Sequence, residues 1–170
     1  FMFFKKLFGK KEQTPMNGVL VAPATGKLVA LEEVPDPVFS QKMMGDGLAF
    51  NPTEGEIVAP VDAEVIQVFP TKHAIGLKTK NNIEILIHIG LETVSMNGEG
   101  FEAFVKEGDQ VKKGQKLITF DLDLIREKAK STITPVVITN FADVVEKLEK
   151  TTTEALTKGE TSFMTVVTKN

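Results

Sequence analysis

The chain alternates short runs of Val, Ile, Leu and Phe with Gly, Pro, Asp and Asn about every eight to twelve residues from Gly18 onwards. This spacing is typical of β-sandwiches and β-barrels. Helical periodicity is confined to residues 121–131 and 141–150, which Asp121 and Asn140 could cap at their N-termini. The pattern therefore predicts an all-β fold, an antiparallel sandwich or barrel decorated by short helical turns.

An internal repeat refines this prediction. The stretch "VAPATGKLVALEEVPD" at 21–36 aligns with "VAPVDAEVIQVFPTKH" at 58–73, and in each copy an Ala-Pro pair precedes a short strand. A third turn-rich unit at 106–121 has the two-glycine spacing of a strand–turn–strand hammerhead. Because the aligned motif occurs only twice, which is too few for a stacked solenoid, we expect one duplicated hybrid motif, a barrel-sandwich.

A predicted hairpin carries both histidines of the chain. One strand spans about 73–79, polar residues turn the chain, and a second strand spans about 83–89. With Lys80-Asn81 as the loop, His73 lies directly opposite His88; with Asn81-Asn82, the two are diagonal neighbours on one face. A three-residue loop would place them on opposite faces. We expect the two imidazoles to meet.

A single histidine in an apolar strand is more often a hydrogen-bonded core residue than a reactive group. Two adjacent imidazoles favour one of two chemistries. His73 and His88 could ligate a metal such as zinc if Asp36 or Glu92 supplied a third ligand. Alternatively, one ring could act as a nucleophile while the other holds the transferred group, since neutral imidazole is available near pH 7.

Composition narrows the class of protein. The chain of 170 residues is 42% hydrophobic and 25% charged with a net charge of −3, which argues against nucleic-acid binding. It contains no cysteine, no P-loop and no run of 18 apolar residues, so we expect a cytoplasmic protein. Residues 18–170 are predicted to form one domain. Residues 1–17 are predicted to be flexible, and their mixed Phe and Lys pattern is compatible with weak association with a membrane surface.

Four stretches carry a resemblance to a known family. They are "GDGLAFNPTEGEIVAPVDAEV", "TKHAIGLKT", "ILIHIGLETVSMNGEGF" and "KAKSTITPVVITN". In this order they resemble the glucose-family IIA component of the bacterial phosphoenolpyruvate-dependent sugar phosphotransferase system, from about Gly18 to the C-terminus. The resemblance implies a phosphotransferase component that accepts a phosphoryl group from HPr and passes it to the IIB domain of a sugar permease. It implies that His88 is phosphorylated, that His73 stabilises the phosphoryl group, and that Thr71 orients His73.

The block "VPDPVFSQKMMGDG" at 34–47 is also similar to this family. The resemblance implies an apolar docking patch with an acidic rim of Asp36 and Glu92, although the family more often has Asp at position 92 and Pro37 is a departure. No cofactor is required, but some members share a zinc ion between the histidine pair and a regulatory partner. The patch would comprise Val38, Phe39, Met43, Met44, Phe69 and Leu86.

Other classes of protein remain open on the residues alone. A zinc metallopeptidase of the lysostaphin-like class shares the duplicated β motif, but its H-x-H pair is absent because position 90 is Gly90. A regulatory metal-binding β domain is a related alternative. A biotin- or lipoate-carrying module would need a modified lysine in a Met-Lys-Met or Asp-Lys-Ala block, which the chain lacks. A purely structural binding module is not excluded by composition.

Overall fold

The computed structural model describes residues 18–169 and consists mainly of short strands. The strands are β1 (Gly18–Val21), β2 (Gly26–Val29), β3 (Asp46–Pro52), β4 (Glu56–Val58), β5 (Ala63–Val68), β6 (Ala74–Lys78), β7 (Glu84–His88), β8 (Phe101–Ala103), β9 (Gln110–Val111), β10 (Lys116–Phe120), β11 (Thr134–Ile138), β12 (Val145–Lys150), β13 (Ala155–Leu156) and β14 (Ser162–Thr168). The helices are α1 (Pro37–Ser40), α2 (Leu122–Lys128) and α3 (Phe141–Val144), with 3-10 turns at Leu31–Glu33 and Thr93–Met96.

The strands form one large sheet and two small ones. The large sheet has eight strands in the order β9-β5-β6-β7-β11-β3-β2-β13, and the three-stranded sheets have the orders β4-β10-β8 and β12-β14-β1. Neighbouring strands within residues 18–169 pair antiparallel throughout. The all-β prediction is confirmed.

Both faces of the large sheet are covered. Because side chains alternate along a strand, Ile85 and Ile87 of β7 enter the main core while Leu86 and His88 face the other way. Leu86 belongs to a second buried group, here called the outer-face cluster. The segment that carries the Leu31–Glu33 turn and α1 packs over it. The cluster comprises Leu31, Val34, Phe39, Ala49, Ala74, Leu86, Leu91 and Val137.

The two repeats bind each other reciprocally. The Val21 N–H donates to the Pro60 carbonyl at 2.9 Å, and the equivalent Val58 N–H donates to the Pro23 carbonyl at 2.8 Å. Each bond joins positions that the sequence alignment of the repeats makes equivalent, so the duplicated motif is related by an approximate twofold axis. The fold is the predicted duplicated hybrid motif.

The two helical predictions have different outcomes. The prediction for 121–131 is confirmed by α2, where the Asp121 carboxylate caps the helix by accepting from the Leu124 N–H at 3.1 Å. The prediction for 141–150 is wrong beyond α3, because residues from Val145 onwards form β12 and satisfy their backbone against β14. Asn140 makes no side-chain cap; its amide instead binds the backbone near the β6–β7 loop.

Two predictions concern membranes. Every helix within residues 18–169 is too short or too polar to traverse a lipid bilayer. The predicted membrane-associating segment at 1–17 lies outside the described residues.

Candidate functional site

The β6–β7 hairpin has neither of the two-residue loops that the sequence suggested, and its register is therefore different. Ala74 lies opposite His88 and Lys78 lies opposite Glu84, so five residues, 79–83, connect the strands. The Thr79 N–H donates to the Ile83 carbonyl at 3.0 Å and closes the loop. By strand alternation alone, this register would place the side chains of residues 73 and 88 on opposite faces.

The two imidazoles nevertheless meet, because His73 lies in a turn before β6 begins. The turn is closed by a bond from the Lys72 N–H to the Phe69 carbonyl at 2.7 Å, and Lys72 has a left-handed φ of 59°. Because His73 lies outside β6, the alternation of side chains along the strand does not set the direction of its ring. Its ring centroid lies 5.0 Å from that of His88, with the planes at 81°. The expected juxtaposition is confirmed, although the reason given for it was wrong.

His88 is half-buried at the end of β7, and a backbone carbonyl fixes its ring. Its Nδ1 lies 2.8 Å from the Gly90 carbonyl oxygen. A carbonyl can only accept, so Nδ1 carries the proton and the neutral ring has its lone pair on Nε2. Burial lowers the pKa of His88, while the Gly90 hydrogen bond and the charge of Asp36 act in the opposite direction. The ring is therefore largely neutral near pH 7.

His73 has a different environment. It is 5% exposed, and its Nδ1 lies 2.5 Å from the Thr71 hydroxyl. Burial, followed by proximity to the His88 ring, lowers the pKa of His73 to about 4. A hydroxyl can donate to a neutral ring nitrogen, and the proton of His73 then resides on Nε2. In that tautomer His73 is a neutral hydrogen-bond donor beside His88.

Aromatic rings line the site. The ring centroid of Phe39 lies 5.2 Å from that of His88, and the centroid of Phe69 lies 5.5 Å from that of His73. Each contact covers part of one imidazole with an apolar ring and so removes water from that part. Desolvation of this kind explains why both pKa values fall.

The residues expected in the docking patch divide into three groups. Val38, Met43 and Met44 are exposed, and Phe69 is half-buried. Phe39 and Leu86 are only 5% and 7% exposed and belong to the outer-face cluster, and their expected part in partner docking stays a prediction. They pack under the exposed residues because Phe39 is on the inner side of α1 and Leu86 points from β7 into the same cluster.

The two acidic residues of the expected rim also differ from each other. The Asp36 carboxylate accepts from the Val38 N–H at 3.0 Å and so caps α1. Asp36 is half-buried and its charge reaches His88. Glu92 is exposed at a left-handed φ of 60°, directly before the second 3-10 turn.

The donor set for a metal is incomplete within residues 18–169. This part of the chain brings together no group of three or more His, Cys, Asp or Glu side chains that could hold a metal ion. Zinc sites use three or four protein ligands, so His73 and His88 do not form one with Asp36 or Glu92. Zinc shared between the histidine pair and a partner's ligand stays a prediction, and the metallopeptidase alternative is not favoured.

One functional group was missed by the sequence analysis. The Gly90 carbonyl sets the tautomer of His88, but Gly90 had been considered only as the missing member of a metal motif. A backbone acceptor leaves no side-chain signature. The available signal was a glycine two residues after a histidine, since Gly90 adopts a left-handed φ of 71° that favours glycine.

Fold and site together define a class: a duplicated antiparallel β domain with a pair of neutral, differently hydrogen-bonded histidines where two central strands of its large sheet, β6 and β7, begin and end. Residues 18–144 match the family model of the phosphoenolpyruvate-dependent sugar phosphotransferase system, EIIA 1. The chain belongs to this family and has its general role in phosphotransfer during sugar uptake.

Individual relatives agree with this assignment. The glucose-specific EIIA component of Bacillus cereus is 61% identical over 166 residues, covering 98% of this chain and 99% of the relative. The corresponding protein of Halalkalibacterium halodurans is 56% identical, with 96% and 97% covered. The structure of glucose permease IIA from Mycoplasma capricolum superimposes with a TM-score of 0.82 at 40% identity, covering 87% of this chain and 95% of that chain.

Proposed function

We propose that His88 is the residue that accepts a phosphoryl group from phosphorylated HPr and donates it to the IIB domain of a sugar permease. The observation that carries the proposal is the hydrogen bond between His88 Nδ1 and the Gly90 carbonyl. It leaves Nε2 as the nucleophilic nitrogen, and the lowered pKa of His88 keeps that nitrogen unprotonated near neutral pH.

In the accepting step, the Nε2 lone pair of His88 forms a bond to phosphorus while the phosphorus–nitrogen bond of the donor histidine breaks. The electron pair of that bond returns to the donor ring. The His88 ring gains positive charge, which the Gly90 carbonyl dipole stabilises through Nδ1–H. Phosphoryl transfer has a loose transition state, so alignment and electrostatic support are the main tasks of the protein.

His73 supports the phosphoryl group without competing for it. Its ring lies 5.0 Å from that of His88, a spacing compatible with a hydrogen bond from Nε2–H to a phosphoryl oxygen on His88. Thr71 holds the other nitrogen and so keeps this donor directed at the site. Because its pKa is lowered to about 4, His73 acts as a neutral donor.

One surface serves both donor and acceptor in this proposal. Val38, Met43 and Met44 form its exposed apolar part, and methionine adapts to different partner shapes. Asp36 and Glu92 add negative charge beside it, which favours a basic partner surface. Since the phosphoryl group enters and leaves through His88, HPr and IIB must dock in turn over the same exposed residues.

The test is phosphorylation in a reconstituted system of phosphoenolpyruvate, enzyme I and HPr. Wild-type protein should gain one acid-labile phosphoryl group by intact-mass measurement, and His88→Ala should gain none because the other imidazole, His73, carries its proton on Nε2 and is bound by Thr71 at Nδ1. His73→Gln is the matched control, since it removes an imidazole from the same site and should still be phosphorylated. Normal phosphorylation of folded His88→Ala would show that the acceptor is another residue.

A further inference from the structure

The backbone that follows His88 leaves the sheet, yet it carries the carbonyl that fixes the His88 ring. Strand β7 ends at His88; beyond it the Ile89 N–H donates to the His73 carbonyl at 2.7 Å, and Leu91 forms an isolated bridge with Ser131. The unit joining Gly90 and Leu91 accepts from His88 Nδ1 through its carbonyl and donates through the Leu91 N–H to the Ser131 carbonyl at 2.9 Å. Its orientation depends on how the preceding unit is held.

Two buried threonines hold that preceding unit from opposite ends. The Thr93 hydroxyl donates to the Ile89 carbonyl at 2.7 Å, and the Thr134 hydroxyl accepts from the Gly90 N–H at 3.2 Å. The Ile89 carbonyl and the Gly90 N–H belong to the same peptide unit. Thr93 and Thr134 are both 0% exposed, so neither bond can be replaced by bulk water.

The two threonines are anchored in separate elements. Thr93 begins the second 3-10 turn, and Thr134 begins β11, where its hydroxyl donates to the Thr132 carbonyl at 3.0 Å. The Thr93 methyl also restricts Gly90, because a Cβ added there would lie 2.8 Å from Thr93 Cγ2. The loop after His88 is therefore fixed by hydrogen bonds and by contact, in a conformation that requires glycine.

We propose that Thr93 and Thr134 are positioning residues for phosphoryl transfer: they hold the Gly90 carbonyl against His88 Nδ1 and thereby keep the Nε2 lone pair available. This rests on the proposed role of His88 as the acceptor. A neutral imidazole that lost the carbonyl would populate both tautomers, and the tautomer protonated at Nε2 cannot attack phosphorus through that nitrogen. The threonines thus act on the nucleophile through the backbone without touching it.

The test measures the His88 tautomer directly, by ¹⁵N NMR of protein labelled in its histidine rings. Thr134→Val and Thr93→Val retain shape but remove the hydroxyl. In each variant we expect the ¹⁵N shifts of His88 to move toward the Nε2–H form and its pKa to fall, since the Gly90 hydrogen bond that raises it is weakened. Phosphorylation by HPr should slow by roughly three- to tenfold, as expected for a lost hydrogen bond.

Two comparisons separate this role from general stabilisation. Thr134→Ser and Thr93→Ser keep the hydroxyl and should restore the wild-type tautomer and rate. Thr79→Val is the matched control, because Thr79 is also a buried threonine whose hydroxyl binds a backbone N–H, that of Ile83, but at the far end of the β6–β7 hairpin. It should lower stability without changing the His88 spectrum or the rate relative to folded protein.

Unchanged ¹⁵N shifts of His88 in a folded Thr134→Val or Thr93→Val protein would overturn the proposal. If one valine variant fails to fold, the other still tests the same peptide unit from its opposite end. The spectra need no phosphoryl donor. If HPr did not phosphorylate the wild-type protein, the proposed function would be refuted. The ¹⁵N shifts of His88 in the valine variants would still decide whether the two threonines fix its tautomer.

Discussion

His73 and His88 have the same side chain but different partners, and this difference assigns their roles. His88 donates from Nδ1 to a carbonyl, so its free nitrogen is a nucleophile. His73 is bound at Nδ1 by the Thr71 hydroxyl, which allows its other nitrogen to carry the proton. Interchanging the two roles would require different hydrogen-bond partners, and the backbone carbonyl is available only to His88.

Substitution of the second histidine should separate accepting from donating. In His73→Gln the amide can still donate a hydrogen bond, so HPr should phosphorylate His88, but the phosphoryl group should pass to IIB about a hundred- to a thousandfold more slowly. The flexible amide is not held by Thr71 as the imidazole is, and loss of well-placed transition-state hydrogen bonding typically has an effect of this size. Rapid-quench transfer to an isolated IIB domain measures it, with Thr71→Ser as the control that keeps the hydroxyl. A wild-type donation rate in His73→Gln would show that His73 is only a neighbour.

The lowered pKa of His73 also predicts a pH dependence of stability. The unfolded histidine takes up a proton near its ordinary pKa of about 6.5, whereas the folded one does so only near pH 4. As pH falls from 6.5 toward 4, the unfolded state therefore binds more protons and the free energy of unfolding decreases. Urea denaturation at several pH values should show a steeper decrease for wild-type protein than for His73→Gln. Parallel curves for the two proteins would contradict the assigned environment.

At the scale of elements, the segment over the outer face of the large sheet builds the surface next to His88. The Leu31–Glu33 turn and α1 place Phe39 inward and leave Val38 and Met43 exposed. Lys42, directly after α1, pairs with Glu32 of the turn at 3.3 Å and with Asp46 at the start of β3 at 3.7 Å, and Asp46 also pairs with Lys150 of β12 at 2.8 Å. The exposed residues are thus presented on a supported element.

Changes on this segment should affect both partners together. Val38→Ser and Met43→Ser should each weaken binding of HPr and of IIB, because truncating an apolar contact at the centre of an interface often costs 1 kcal/mol or more, about a fivefold loss or greater. Titration calorimetry with each partner measures this. Val19→Ser is the matched control, since Val19 is an exposed valine on β1 of another sheet. Loss of binding to only one partner would refute a shared surface.

The sequence pattern predicted the positions of the strands more accurately than it predicted which residues pair between them. The β6–β7 hairpin was predicted from apolar alternation, but its register depends on a five-residue loop. The Ile83 N–H donates to the Thr79 hydroxyl, and Asn82 is left-handed. Such side-chain-to-backbone bonds do not alter the alternation of apolar residues, so the alternation does not reveal the length of the loop. The 141–150 stretch has helical spacing, but pairing with β14 overrides that local preference.

At the scale of the whole molecule, the duplication places two different side chains, one from the end of each repeat, near His88. With Ala22-Pro23 aligned on Ala59-Pro60, Asp36 at the end of the first repeat is equivalent to His73 at the end of the second. Both interact electrostatically with His88. The repeated architecture was predictable from the sequence, whereas the histidines meet because of the turn before β6, which the alternation of the strands does not predict. The backbone carbonyl at Gly90 was not predictable either, since it depends on the path of one loop.

The central claim is that this fold presents Nε2 of His88 as the phosphoryl acceptor, and the position of the phosphoryl group tests it most directly. Protein labelled with ¹⁵N in its histidine rings should be phosphorylated with phosphoenolpyruvate, enzyme I and HPr and examined by ¹H–¹⁵N and ³¹P NMR at neutral pH. We expect phosphorus coupled to Nε2 of His88, with Nδ1 still protonated and His73 unmodified. A phosphoryl group on Nδ1 of His88 or on His73 would contradict the account.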